Sequence, residues 1–176
     1  MKDILTLTTD RFTQIRSLGE KTLEQLSEAD LHWSPDEESN SIAVIVQHLA
    51  GNMISRFTDF LTTDGEKENR NRDGEFVEHG MGSQELRERW DAGWECLFAA
   101  MRPLTEADLN REVFIRGESH TVMEALLRQL SHFAYHVGQI VYIGKMRQGS
   151  AWKTLSIARG ASQQFNTALS QSQNKK

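Results

Sequence analysis

At 176 residues and 20.1 kDa, with 38% hydrophobic and 26% charged residues, the chain has the size of one soluble globular domain; a second full core would leave too few residues for each. Twenty Lys and Arg against 25 Asp and Glu give a formal charge of -5, and no short window is dominated by basic residues, so nucleic acid is not an expected partner. No unbroken apolar run exceeds six residues (Ile42 to Val46 is five, Cys96 to Met101 six) where a membrane span needs about 20, and the N-terminus lacks a basic-then-apolar signal layout, so a cytoplasmic protein with no membrane partner is expected.

Two prolines, Pro35 and Pro103, with abundant Leu, Glu, Gln and Ala favour long helices and an all-α fold. From Asp3 to about Gln25, Ile4, Leu7, Phe12, Ile15, Leu18 and Leu26 recur at loose helical spacing, interrupted by Thr8 and Thr9. Ser39, Asn40 and Ser41 offer caps for a second helix, whose Ile42, Ile45, Leu49, Met53, Phe57 and Phe60 fall at steps of three and four. Residues 62–82 carry four glycines and nine charged side chains without a sustained period, which predicts a long loop. Ser83 is the expected cap of a third helix bearing Leu86, Trp90, Trp94, Leu97 and Met101, with Pro103 just beyond its end. A fourth runs from Thr121 to about Arg147, with Val122, Leu126, Phe133, Val137, Ile140 and Gly144 on one stripe.

Four such segments fit a four-helix bundle over residues 1–169. The tail beyond Gly149 has enough apolar surface in Trp152, Leu155, Ile157 and Phe165 to dock in part, and Ser170 to Lys176 form a polar, frayed end. Leu26-Ser-Glu-Ala-Asp-Leu31 precedes the second helix and Leu104-Thr-Glu-Ala-Asp-Leu109 the fourth, an echo that suggests a two-fold pseudo-repeat pairing those helices.

Three of the six histidines fall inside helices. His132 and His136 are four apart and project from one face, the geometry in which two imidazoles can bind one ion. His48 lies seven residues after Ser41 and His132 eleven after Thr121. At about 100° per residue both spacings fall within roughly 20° of whole turns, so each histidine lies on the face of its own cap. If the second and fourth helices pack together, His48, His132 and His136 converge into a tri-histidine site for Zn²⁺, Ni²⁺ or a similar ion. His32, His79 and His120 lie in connections and are expected to be solvated.

A zincin-type protease is disfavoured, because Phe133 follows His132 where that chemistry needs a Glu, and Glu124 lies eight residues upstream and about 80° round the helix. No Gly-x-Ser-x-Gly elbow supports a serine hydrolase. Cys96, the only cysteine, permits neither an intrachain disulfide nor a cysteine-rich zinc module, and its position beside Leu97 predicts a buried structural thiol.

The stretch Leu130-Ser-His-Phe-Ala-Tyr-His-Val-Gly-Gln-Ile-Val-Tyr-Ile-Gly-Lys145, with Ile45-Val-Gln-His-Leu49 upstream, resembles the DinB-like superfamily, also called YfiT-like metal-dependent hydrolases. The tail Trp152-Lys-Thr-Leu-Ser-Ile-Ala-Arg-Gly160 is similar to a branch catalogued as a domain of unknown function. The resemblance implies an up-down-down-up four-helix bundle, residues 62–82 as the crossover, and often a homodimer. It further implies one divalent metal, zinc or nickel, on His48, His132 and His136. Some members transfer low-molecular-weight thiols such as bacillithiol to electrophiles, others are thiol-dependent isomerases, and others were labelled hydrolases.

The favoured expectation is a thiol transferase in which an open tri-histidine site activates a nucleophile. The alternatives are a hydrolase using metal-bound hydroxide and a non-catalytic metal-binding, stress-response bundle. Gln139 is a candidate to orient water or a ligand imidazole, or else to make an interhelical hydrogen bond beside a close-packed Gly138. Asn52 is a second such candidate. Tyr135, Tyr142 and Trp152 are candidates to line a pocket above the metal, and the apolar residues of the third helix to form a dimer face.

Overall fold

The computed structural model describes residues 2–173 and is mostly helical. Its helices are α1 (Ile4–Leu23), α2 (Glu28–Leu31), α3 (Ile42–Phe57), α4 (Ser83–Met101), α5 (Val122–Gln148) and α6 (Ser162–Gln173). Strands β1 (Glu112–Ile115) and β2 (Glu118–Thr121) pair antiparallel ahead of α5. No described helix is long and apolar enough to cross a membrane.

Local chemistry sets the helix starts. Asp3, Ser41 and Thr121 cap α1, α3 and α5 by accepting the N–H three residues on. Thr121 adds a capping box, its own N–H donating to Glu124 Oε2 at 2.7 Å, which gives Glu124 a structural occupation. Thr8 and Thr9, which interrupt the apolar spacing, lie within a continuous α1, where Thr8 turns its hydroxyl onto the Ile4 carbonyl at 2.7 Å. Ser83 is not the cap of α4: Gly82 holds that position without a side chain, and the Glu28 carboxylate of α2 accepts from the Ser83 N–H at 3.3 Å.

The long helices pack α3 on α4, α1 on α5, α3 on α5 and α1 on α4. Phe12, Trp90, Trp94 and Phe133 meet at the centre, with ring centroids of Trp94 and Phe133 5.6 Å apart and those of Phe12 and Phe133 5.9 Å apart. Tilted aromatic contacts of this kind add about 0.5–1.5 kcal/mol each beyond area burial. Leu86, Trp90, Trp94, Leu97 and Met101 are all buried here and belong to the core, while Phe98 of the same helix is half-buried.

The all-helical expectation needs one correction. Residues Glu112–Thr121 form a β-hairpin because Val113 and Ile115 alternate inward while Arg116 and Gly117 both take positive φ (57° and 74°), the requirement of a two-residue type I′ turn. Asp64 staples this tip to the preceding loop by accepting from the Arg116 and Gly117 N–H groups at 2.9 and 2.7 Å.

Residues 62–82 are also more ordered than a plain crossover. A 3₁₀ turn, Asp73–Phe76, packs on α3 and buries Glu75. At the other end, docking of the tail stops early: Lys153 is tied to the Gln25 side chain, and Trp152 lies beside Gly144, but Ile157 and Phe165 are exposed. Ser170–Gln173 belong to α6, and the remainder of the expected frayed end, 174–176, lies outside the described residues.

Candidate metal centre

The packing of α3 on α5 brings His48, His132 and His136 together, with one candidate ligand nitrogen from each and all three nitrogens within 4.8 Å of one another. His48 Nε2 lies 3.2 Å from His132 Nε2. Zinc–nitrogen bonds of 2.0–2.1 Å at a tetrahedral ion imply a ligand–ligand edge of about 3.3 Å, so this spacing fits a shared ion. The ring centroids of His132 and His136 are 4.7 Å apart, one helical turn along α5. Among the described residues no carboxylate or thiolate joins the three, and the cluster can hold a metal ion.

The opposite ring nitrogens explain how the inner ones are aimed. His48 Nδ1 meets Glu75 Oε2 at 2.9 Å, and His136 Nδ1 meets Gln139 Oε1 at 2.8 Å. Carboxylate and amide oxygens only accept, so each Nδ1 carries the hydrogen and each Nε2 keeps its lone pair. Glu75 is itself gripped by Arg70, whose Nε and Nη2 each donate at 2.7 Å. Burial raises the Glu75 carboxyl pKa, but the hydrogen bonds from His48 and Arg70 and the Arg70 charge more than reverse this, leaving it below the ordinary carboxylate value.

Burial, reinforced by His136, His48 and nearby arginines, pushes His132 down to about 3, and burial also lowers His136. Both are therefore neutral at physiological pH, the state in which imidazole ligates.

The cluster forms the floor of a cavity of about 330 Å³. Asn52, Gln129 and Phe76 line it with five arginines, namely Arg56, Arg70, Arg72, Arg116 and Arg128. Phe76 covers the His48 ring at a centroid distance of 4.6 Å, and Arg72 lies over Phe76 in turn.

Other sequence expectations move. Tyr135 and Tyr142 are 64% and 66% exposed and do not line this cavity, because they point from the outer face of α5. Trp152 packs on Gly144, three turns past the Leu130-to-His132 region, and is absent from the lining as well. The Gln139 amide bonds within its own helix, not across helices, and Gly138 faces open space, so that glycine is not close-packed. His79 is exposed and His120 half-buried, whereas His32, expected to be solvated, is pinned between Glu78 and the Met81 carbonyl. Cys96 is half-buried against Thr58, its Sγ 3.6 Å from the hydroxyl.

Sequence reasoning missed Glu75, Arg70 and the arginine lining. For Arg56 and Arg128 a signal existed: His48, Asn52 and Arg56 fall at steps of four, as do Arg128, His132 and His136, so charge sampled along helix faces finds what charge sampled in windows does not. Nothing in the aperiodic 62–82 segment marked Glu75.

A mostly helical chain with a tri-histidine cluster at the floor of a cavity is thus the class defined by fold and site. Over residues 1–161 it matches the family described as a protein of unknown function, DUF1572, and it belongs to that family. No curated protein matches the chain.

Proposed function

We propose that the protein is a metal-dependent enzyme of the DinB-like four-helix-bundle type, in which His48, His132 and His136 hold one divalent ion, zinc or nickel, and a low-molecular-weight thiol is co-substrate in a transfer reaction. The observation that carries the metal reading is the orientation of His48 and His136: each gives its Nδ1 hydrogen to an acceptor, Glu75 or Gln139, and turns its Nε2 lone pair inward. The resemblance of the helix-borne histidines to the DinB-like pattern supports the fold and the thiol chemistry.

When bound, a divalent ion supplies Lewis acidity that lowers the pKa of a thiol or water. The chain's own residues do the rest. Glu75 fixes the His48 tautomer, Arg70 holds Glu75, and Phe76 shields the His48 ring from water on one side. A site of three protein ligands beneath a cavity favours catalysis over a purely structural ion. One observation favours the non-catalytic alternative: Asn52 Oδ1 is buried without a hydrogen-bond partner in the same cavity, and as a fourth ligand it would close the site.

Protein purified without added metal is expected to carry close to one equivalent of zinc or nickel, or to take up one on titration. Less than about a tenth of an equivalent with no uptake overturns the metal site. In the cobalt-loaded protein, biological thiols are expected to produce a sulfur-to-cobalt charge-transfer band. Absence of that band with every thiol tried rejects the transferase and leaves the hydrolase reading.

A further inference from the structure

The cavity above the histidines has a charge pattern that a metal site alone does not require. Five guanidinium groups line it and no carboxylate does. Glu66, outside the lining, serves three of them through one oxygen: its Oε2 lies 3.1 Å from Arg70, 3.3 Å from Arg116 and 3.6 Å from Arg56. Arg70 is otherwise satisfied by Glu75, whereas Arg56 has no second acid. Arg128 is exposed and forms no ion pair among the described residues.

Arg56 is the telling residue. It is only 4% exposed, yet its Nε and Nη1 have no hydrogen-bond partner. A buried guanidinium with two idle donors is a costly arrangement unless something accepts from it. Burial lowers its pKa to about 10 despite Glu66, with the charges of Arg70, Arg128 and Arg116 pushing the same way, so the guanidiniums repel one another across this space. Local construction enforces the position: Arg56 closes the last turn of α3, and residue 65, whose N–H is held by the Phe114 carbonyl at 2.8 Å, packs against its side chain.

We infer that this cavity binds the oxyanion group of a small ligand, a carboxylate or a phosphate, with Arg56 and Arg128 as its principal contacts beside the three histidines. The inference deepens the metal reading by naming the ligand class, and rests on it in taking this cavity as the working site. Guanidinium donors match the planar fork of a carboxylate and the edges of a phosphate, and the small volume suits a compact organic anion and not a nucleic-acid backbone. An anion there supplies the acceptor that Arg56 lacks and offsets the repulsion among the arginines.

The test titrates inorganic phosphate and malonate, in separate arms, into full-length protein with and without one equivalent of metal, following the Arg Nε–H resonances by NMR. Saturable shifts are expected with at least one anion, and whichever arm binds more tightly identifies phosphate or carboxylate as the preferred group. Arg56→Gln should weaken that binding at least tenfold. Arg128→Gln, at an exposed unpaired position that puts folding at no risk, should weaken it severalfold. Neither change should alter metal stoichiometry. Anion binding of equal strength in wild type and Arg128→Gln, with Arg56→Gln also equal or unfolded, overturns the inference. No saturable binding of either anion to protein that holds its metal also overturns it and leaves the metal reading intact. Arginine-dependent anion binding by protein that takes up no metal does the reverse.

Discussion

His48 and His32 make the same contact and end in opposite roles. Each presents Nδ1 to a glutamate from one short stretch of the 62–82 segment, His48 to Glu75 at 2.9 Å and His32 to Glu78 at 3.0 Å. The second nitrogen separates them. His32 Nε2 faces the Met81 carbonyl at 3.0 Å, so both nitrogens face acceptors and no lone pair is aimed at open space. His48 Nε2 faces His132 across the cavity floor. A histidine–glutamate contact is therefore no mark of a metal site by itself; the direction of the nitrogen that the glutamate does not use decides it.

The largest expected effect comes from removing one of the three candidate ligands outright. His132→Ala should abolish measurable metal uptake, a loss beyond the roughly 10- to 100-fold typical of changing an outer-shell partner. The same variant tests the electrostatics of the metal-free protein. Burial first, then neighbouring charges, hold His132 near 3 in the folded chain, against an ordinary value of 6.5. Below that ordinary value the unfolded chain binds a proton that the folded one refuses, so stability falls as pH drops from 6.5 toward 3. Denaturant titrations across this range should show a shallower pH slope for His132→Ala than for wild type; identical slopes would refute a neutral buried His132.

Glu75→Gln comes next. The amide oxygen can still accept from His48, but Arg70 loses the closer of its two charged partners, in a pair of side chains only 5% and 9% exposed, and keeps Glu66 at 3.1 Å. Metal affinity should fall about 10- to 100-fold, and unfolding free energy by up to about 3–5 kcal/mol, the range for breaking a buried ion pair. Gly51→Ala sharpens the point without deleting any functional group. A Cβ at residue 51 would overlap the Glu75 carboxylate, so this glycine is what lets the 3₁₀ turn approach α3. Alanine gains about 1 kcal/mol in helix propensity and displaces Glu75. Stability should change little while metal affinity drops severalfold, and an unchanged affinity in calorimetric titration would show that His48 does not depend on the placement of Glu75.

These partners also mark where the sequence was readable. Ser41 and Thr121 are caps, and counting seven and eleven residues from them placed His48 and His132 on faces that meet once α3 packs on α5. Helical periodicity propagates a position along the chain, so a residue is located by its distance from a cap. Glu75 and Arg70 sit in a segment with no period, where position depends on long-range contacts such as Gln47 donating to the Gly74 carbonyl at 2.9 Å. The sequence echo shows the same boundary. Asp30 and Asp108 both close capping boxes, as identical local motifs should, but Asp30 reaches Arg147 of α5 at 2.8 Å while Asp108 takes only its neighbour Arg111 at 3.0 Å. Motif chemistry is local and was legible; the tertiary partner is not part of the motif.

The smallest effect on metal is expected from the other half of the comparison. His32→Ala removes hydrogen bonds to Glu78 and to the Met81 carbonyl, and Glu78 keeps the Ser41 hydroxyl at 2.8 Å and the Gly80 N–H at 3.0 Å. Because the His32 and Glu78 side chains are 23% and 41% exposed, water replaces much of what is lost, and the expected cost is about 1–2 kcal/mol, well below that of Glu75→Gln. Metal affinity should match wild type. The decisive pairing is His32→Ala beside Glu75→Gln in one metal titration. If both weaken uptake to the same degree, the 62–82 segment acts as a single rigid carrier of Glu75 and the two glutamates cannot be assigned separate roles. If only Glu75→Gln does, Glu78 anchors the segment while Glu75 aims the ligand, a division of labour between a residue of the 3₁₀ turn and one three positions on, just past its end.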